Sequence, residues 1–193
     1  MRRDRLTTME YALLGLIGRA PMAGYDVHKV FAITPLAHFS SSPGAIYPAL
    51  RRLAGAGLLK ARLDKAVEAR PRRVYALTAA GQEALEAWLR QAVTREEIIR
   101  GAGAPVLRFA LAEGRLSKPD VLAYLKSYQT ALQSYLGELY THRERISRSG
   151  PLHGRLALEL GIGGFESELG WVKSAAEKIN RAGRGSRKRR TSR

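Results

Sequence analysis

Two unbroken heptad seams fill much of the second half of the chain and limit what it can fold into. Val121, Leu125, Tyr128, Leu132, Tyr135, Leu139, His142 and Ile146 follow one another by alternating steps of four and three. Gly150-Pro151 breaks the run, and the same alternation resumes through Leu158, Ile162, Phe165, Leu169, Val172, Ala176 and Ile179. Side chains at this spacing form a stripe along one side of an α-helix. Ser117-Lys118-Pro119-Asp120 provides a capping-box-like start. Each helix would be about 40 Å long at a rise of ~1.5 Å per residue. Stripes of that length need to pack against one another and against a second subunit. Residues 105–180 are therefore expected to form a helical dimerisation domain.

The first half has a different rhythm. Met9, Leu13, Leu16 and Ile17 predict an amphipathic helix that stops near Gly18 and Pro21, and Val27, Val30 and Phe31 a second from about Gly24. Ser42-Pro43 combines an N-cap residue with proline at the first helical position and opens a third helix reaching about Gly55. The period then drops to two. Leu59, Ala61 and Leu63 alternate with Lys60 and Arg62, and Arg73, Tyr75 and Leu77 with Val74 and Ala76, so two strands are expected around a polar loop from Asp64 to Pro71. Thr78 can cap a fourth helix carrying Leu85, Trp88 and Leu89. The order is that of a winged helix-turn-helix. The predicted fold is mainly α with a small β-hairpin wing: a winged helix-turn-helix over 1–93, a linker over 94–104, a long-helix dimerisation arm over 105–180, and a disordered basic tail over 181–193.

Charge indicates what such a fold would meet. The net charge is +16, and it is unevenly spread: residues 1–100 carry +7, residues 101–180 only +2, and residues 181–193 again +7. A basic N-terminal module and a basic tail point to a polyanion, with nucleic acid ahead of a membrane surface. No run of 18 apolar residues predicts a transmembrane helix, and no long apolar stretch follows Met1-Arg2-Arg3-Asp4-Arg5, so a cytoplasmic, nucleoid-associated protein is expected.

On the third helix Ile46, Leu50 and Leu53 share one side, while Gly44, Tyr47, Pro48, Arg51 and Arg52 spread over the other. The small residues Ser42, Gly44 and Ala45 at its start allow close approach to a duplex. Arg51 and Arg52 can reach phosphates or guanine edges, and the Tyr47 hydroxyl can donate to a phosphate. Paired arginines on an amphipathic helix also read simply as a solvated face. Pro48 removes a backbone donor and predicts a kink or a short first turn. Lys65, Arg70, Arg72 and Arg73 lie in the expected wing or its flank, suited to a DNA backbone or minor groove. Trp88, Phe109 and Trp171 are the aromatic candidates for gripping a flat effector, although each also reads as core packing.

Catalytic constellations do not assemble. His28, His38, His142 and His153 show no metal-ligand spacing and there is no cysteine, so neither a metal nor a cofactor is expected. Gly161-Ile162-Gly163-Gly164 follows no strand and lies within a heptad run, where close helix packing explains it better than a dinucleotide loop. An enzyme is not expected. The alternatives are a nonspecific nucleoid or RNA-binding protein driven by the tail, and a ligand-binding protein without a DNA target.

Residues 42–53, reading Ser-Pro-Gly-Ala-Ile-Tyr-Pro-Ala-Leu-Arg-Arg-Leu, are followed by Gly57-Leu58-Leu59 and by Arg73-Val74-Tyr75-Ala76-Leu77-Thr78-Ala79-Ala80-Gly81. With Gly24-Tyr25-Asp26 and with Leu85, Trp88 and Leu89, they resemble the PadR family of bacterial transcriptional regulators. The helices beyond residue 104 resemble the larger arm of its virulence-activator-like branch. The resemblance implies a winged-helix homodimer on a palindromic double-stranded DNA operator, commonly a repressor, released by a small aromatic or hydrophobic effector. It also implies that proline is tolerated at position 48. The Arg/Lys-rich tail departs from the family pattern.

Overall fold

Local signals for starting and stopping a helix account for most element boundaries. The computed structural model describes residues 6–39, 42–64, 72–146 and 150–188. The chain falls into two units divided between Leu89 and Arg90.

In the first unit, α1 (Thr8–Ile17) starts on a capping box. The Glu10 amide donates to Thr7 Oγ1 at 3.2 Å and the Thr7 amide donates back to Glu10 Oε2 at 2.9 Å. A two-residue strand, β1 (Met22–Ala23), runs directly into α2 (Gly24–Ile33), and a 3-10 turn (Pro35–His38) leads towards α3 (Pro43–Gly55). Ser42 caps α3 with extended backbone, but its side chain makes no capping hydrogen bond. Instead its carbonyl accepts the Ala45 and Ile46 amides, both at 3.1 Å, which closes a tight first turn. Pro48 sits within a single helix assigned over all 13 residues.

Gly57, at φ 74°, turns the chain out of α3 in the left-handed region that favours glycine. The wing strands β2 (Leu59–Asp64) and β3 (Arg72–Leu77) then pair antiparallel, with Leu59 opposite Leu77 and Asp64 opposite Arg72. The sheet holds one strand more than the expected hairpin. β1 pairs with the free edge of β3, Met22 opposite Tyr75, giving the order β1-β3-β2. Two residues are too few for alternation to show, so β1 left no periodic signal.

Helix α4 (Ala79–Leu89) begins at Thr78, whose Oγ1 accepts the Gly81 amide at 3.0 Å. Leu13, Leu14, Ile17, Val27, Phe31, Ile46, Leu50, Leu53, Leu85 and Leu89 make the buried centre of this unit.

The second unit departs from expectation at both ends. The span expected as a linker over 94–104 contains α5 (Arg95–Arg100) and the start of α6 (Gly103–Ala112). A Thr94/Glu97 capping box starts α5, and Ile98 is buried in the unit's core, which gives the short helix its anchor. Helix α7 (Lys118–Ile146) and helix α8 (Leu152–Lys188) follow. The start of α7 is set by Ser117, whose Oγ accepts the Asp120 amide at 3.3 Å.

Helix α8 runs through much of the segment expected as a disordered tail over 181–193, up to Lys188. Arginine, lysine and alanine favour the helix there and Gly183 and Gly185 oppose it, but a helix already nucleated extends at little cost. Residues 189–193 lie outside the described residues.

α8 packs antiparallel along α7. Lys118 Nζ donates to the Asn180 carbonyl at 2.7 Å, while nearer the other end Tyr135 meets Phe165 edge-on at 5.1 Å. From the seams, Leu125, Tyr128, Leu132, Ile162 and Val172 are buried, and Tyr124 and Leu136 widen the stripe of α7. His142, near the end of its seam, is exposed. Among the described residues no helix is long and apolar enough to cross a membrane.

Candidate nucleic-acid interface

Helix α3 separates its two sides cleanly. Ile46, Ala49, Leu50 and Leu53 are buried, whereas Ser42, Gly44, Arg51 and Arg52 are exposed and Ala45, Tyr47 and Pro48 half-buried. The apolar side fixes the helix to α1, α2 and β2, so the other side is held in place by core packing.

Tyr47 lies across the start of α2. A Cβ on Gly24 would come within 2.9 Å of Tyr47 Cε1, and glycine there is what lets the ring approach. Its position therefore depends on α2 as well as on α3.

The adjacent arginines behave differently. Arg51 is exposed, with no partner among the described residues. Arg52 is tied to α1: its Nε and Nη2 donate to Glu10 Oε1 at 3.1 and 3.0 Å. The Arg52 side chain is 60% exposed and that of Glu10 only 9%. Glu10 thus closes the α1 capping box with one oxygen and holds α3 with the other. Burial alone would push its carboxyl up, but the Thr7 amide and the Arg52 guanidinium outweigh it and hold it below the ordinary carboxylate value. Thr7-Thr8-Met9-Glu10 carries a capping-box signature that could have flagged the cap. Nothing local signals a partner 42 residues away.

On the wing, Arg72 and Arg73 are both exposed and, as neighbours on a strand, face opposite sides of the sheet. The register puts Arg72 on the side of Lys60, Arg62 and Val74, and Arg73 on the side of Leu59 and Tyr75. Lys60 and Arg62 are exposed and lie with Arg72 on one side of the wing, which also carries Asp64 directly opposite Arg72; strand alternation alone does not mark this side as a site. Lys65 and Arg70 lie outside the described residues.

Of the aromatic candidates, Trp88 is buried in the first unit and stacks flat on Tyr11 at 4.3 Å, which occupies its ring. In the second unit Phe109 and Trp171 meet edge to face at 5.3 Å, with Trp171 39% exposed.

That unit also buries an arginine inside what reads as an apolar segment. Arg108 is 1% exposed and donates to the Gln91 carbonyl at 2.8 Å and to Glu97 Oε1 at 2.6 Å. It also lies 5.2 Å from the Tyr124 ring centroid. Deeper in the core the buried Tyr128 hydroxyl donates to the Glu168 carboxylate. Burial raises the Glu168 carboxyl and the bond from Tyr128 partly offsets it. Among the described residues no group of three or more His, Cys, Asp or Glu could hold a metal ion.

Residues 13–87 match the model of the Transcriptional regulator PadR-like family. The chain is similar to the Negative transcriptional regulator PadR of Bacillus subtilis (strain 168), at 24% identity over 91% of this chain and 100% of that protein. Among solved structures it is similar to Bacillus subtilis PadR in complex with operator DNA, at 22% identity, covering 91% of this chain and 99% of that one with a TM-score of 0.42. It is also similar to the PadR-like transcriptional regulator BC1756 from Bacillus cereus, at 20% identity, covering 90% and 99% with a TM-score of 0.39. Bacillus subtilis PadR in complex with p-coumaric acid gives 22% identity, 90% and 99% coverage and a TM-score of 0.39.

Proposed function

Because residues 13–87 carry a PadR-like domain of transcriptional regulators, we propose that the protein is a cytoplasmic, nucleoid-associated repressor that binds a palindromic DNA operator as a homodimer. The observation that carries this reading is the outward side of α3, where Arg51 stands exposed on a helix whose other side is locked into the core. Arg51 and Tyr47 enter the major groove behind the small residues Ser42, Gly44 and Ala45, with Pro48 alongside. Arg72, with Lys65, Arg70 and Arg73, holds the flanking backbone.

Dimerisation is supported by α8. Leu152, Leu156 and Leu160 follow one another at four-residue steps on its surface, and Leu160 is 80% exposed. A soluble helix seldom leaves such a row in water, and a second copy covers it by symmetry. Two-fold symmetry then sets half-sites about one helical turn apart, or a multiple of it.

The Phe109–Trp171 pair is the better-placed part of an effector site, and a small aromatic acid such as p-coumaric acid, bound by the similar Bacillus subtilis regulator, is the first probe. Footprinting upstream of the protein's own coding region, at two salt concentrations, tests the reading. A protected palindrome that persists at the higher salt supports it, as does weaker binding by Arg51→Ala and Arg72→Ala. Unchanged affinity in both variants dismisses the assignment. Protection without sequence preference that vanishes on deleting residues 181–193 favours a nonspecific binder.

A further inference from the structure

We propose that Glu10, a residue of α1 outside the recognition helix, positions DNA contact by aiming Arg52, and that the adjacent arginines of α3 thereby divide their work. A guanidinium has two edges that can donate a pair of parallel hydrogen bonds. Glu10 takes the edge formed by Nε and Nη2, at 3.1 and 3.0 Å. The end edge, Nη1 with the second hydrogen of Nη2, stays available on a side chain that is 60% exposed. Glu10 itself is fixed, since the Thr7 amide and hydroxyl donate to its other oxygen at 2.9 and 3.1 Å. Arg52 is therefore held from behind by a buried carboxylate, with its outer donors set before any ligand arrives.

A tethered guanidinium of this kind suits a phosphate of the DNA backbone, whose position follows from the docking of the domain. It does not suit a base edge, which the side chain would have to reach for. Arg51 has no such tether and retains the reach to read a base. The Glu10 charge also nearly cancels that of Arg52, so the pair adds orientation with little of the nonspecific attraction that an unpaired cation brings.

This inference rests on the DNA-binding reading above, and its test separates the two. Binding of the full-length protein to its operator and to a scrambled duplex is measured across a salt series for wild type, Arg52→Lys, Arg52→Ala and Glu10→Gln, with thermal melts alongside. Lysine can keep an ion pair with Glu10 but has no second edge. Arg52→Lys should therefore melt close to wild type yet lose operator affinity about fivefold, the size of one orienting hydrogen bond, as Arg52→Ala does.

Glu10→Gln frees the positive charge. Binding to the scrambled duplex should strengthen and become more salt-dependent, while the ratio of operator to scrambled affinity falls about fivefold. In the Arg52→Ala background Glu10→Gln should leave that ratio unchanged, because its effect runs through Arg52. The inference is overturned if Arg52→Lys binds like wild type, or if Glu10→Gln lowers the melting temperature with the ratio and the salt slope intact. A wild-type protein that does not distinguish the two duplexes removes the DNA-binding reading itself, and this inference with it.

Discussion

Replacing Gly81 by alanine sets two physical effects against each other. On helix propensity alone, alanine should stabilise α4 by about 1 kcal/mol. The packing says otherwise. A Cβ at this position would lie 2.1 Å from the Leu58 carbonyl oxygen and 2.8 Å from Leu77 Cδ1. An ordinary carbon–oxygen contact is about 3.3 Å, so α4 must move away from the start of the wing by more than an ångström. That movement pulls on Thr78, whose amide donates to the Leu58 carbonyl at 3.2 Å and whose Oγ1 donates to the neighbouring Gly57 carbonyl at 2.7 Å. Losing those two bonds costs about 2 kcal/mol, and residual strain from overpacking adds about 2 kcal/mol. Set against the propensity gain, the net loss is about 3 kcal/mol.

The chain's two tryptophans fall in different units, which makes the assay clean. In a Trp171→Phe background, Trp88 stacked on Tyr11 reports unfolding of the first unit by fluorescence. At about 1 kcal/mol per molar urea, Gly81→Ala should lower the midpoint by about 3 M. Gly55, where an added methyl group would meet nothing within 4 Å, is the control: alanine there should leave the midpoint unchanged or slightly raised. A Gly81→Ala midpoint at or above wild type would refute the reasoning.

Three further outcomes follow from described contacts. Glu10 has a folded-state carboxyl below its ordinary value of 4.5, so its contribution is complete above that value and is lost as pH falls through the lowered one; Glu10→Gln should flatten the acid side of the Trp88-monitored stability profile, and an unaltered profile contradicts the assignment. Arg108→Met removes one partner of a buried ion pair while Glu97 stays partly exposed, so a loss of about 2–3 kcal/mol is expected in urea unfolding followed through Trp171; a loss below about 0.5 kcal/mol would mean that the pair is only a surface contact. Leu160→Glu places a charge in the exposed row of α8 and should weaken self-association by at least tenfold in sedimentation equilibrium, against the lost burial of a leucine side chain worth about 2 kcal/mol; an unchanged dissociation constant excludes this row from the interface.

The features legible in the sequence were those encoded by short-range signals. The α3 start at Ser42-Pro43, the Thr78 cap and the wing alternation each fit within one or two turns or one strand, the heptad seams repeat a unit of two turns, and all of them reappear in the structure. What escaped depends on pairing across long separations or on too few residues to form a pattern. β1 exists because β3 offers it an edge. Arg108 falls in an otherwise apolar stretch and becomes buried because the Gln91 carbonyl and Glu97 converge on it. In the same way, composition could not distinguish Arg51 from Arg52. They differ only because Glu10 is folded against one of them.

Five of the seven glycines of helix α8, Gly154, Gly161, Gly163, Gly164 and Gly170, would meet no obstacle within 4 Å if they carried a methyl group. Relative to alanine, five such positions forfeit about 5 kcal/mol of helix propensity, more than a segment of this kind can spare alone in water. The helix therefore borrows its order from what it lies against, and α7 is the template the chain supplies. During synthesis α7 leaves the ribosome first, so the scaffold is waiting when the glycine-rich partner emerges. A chain that lost α7 would be left with a loose strip of polypeptide in place of α8.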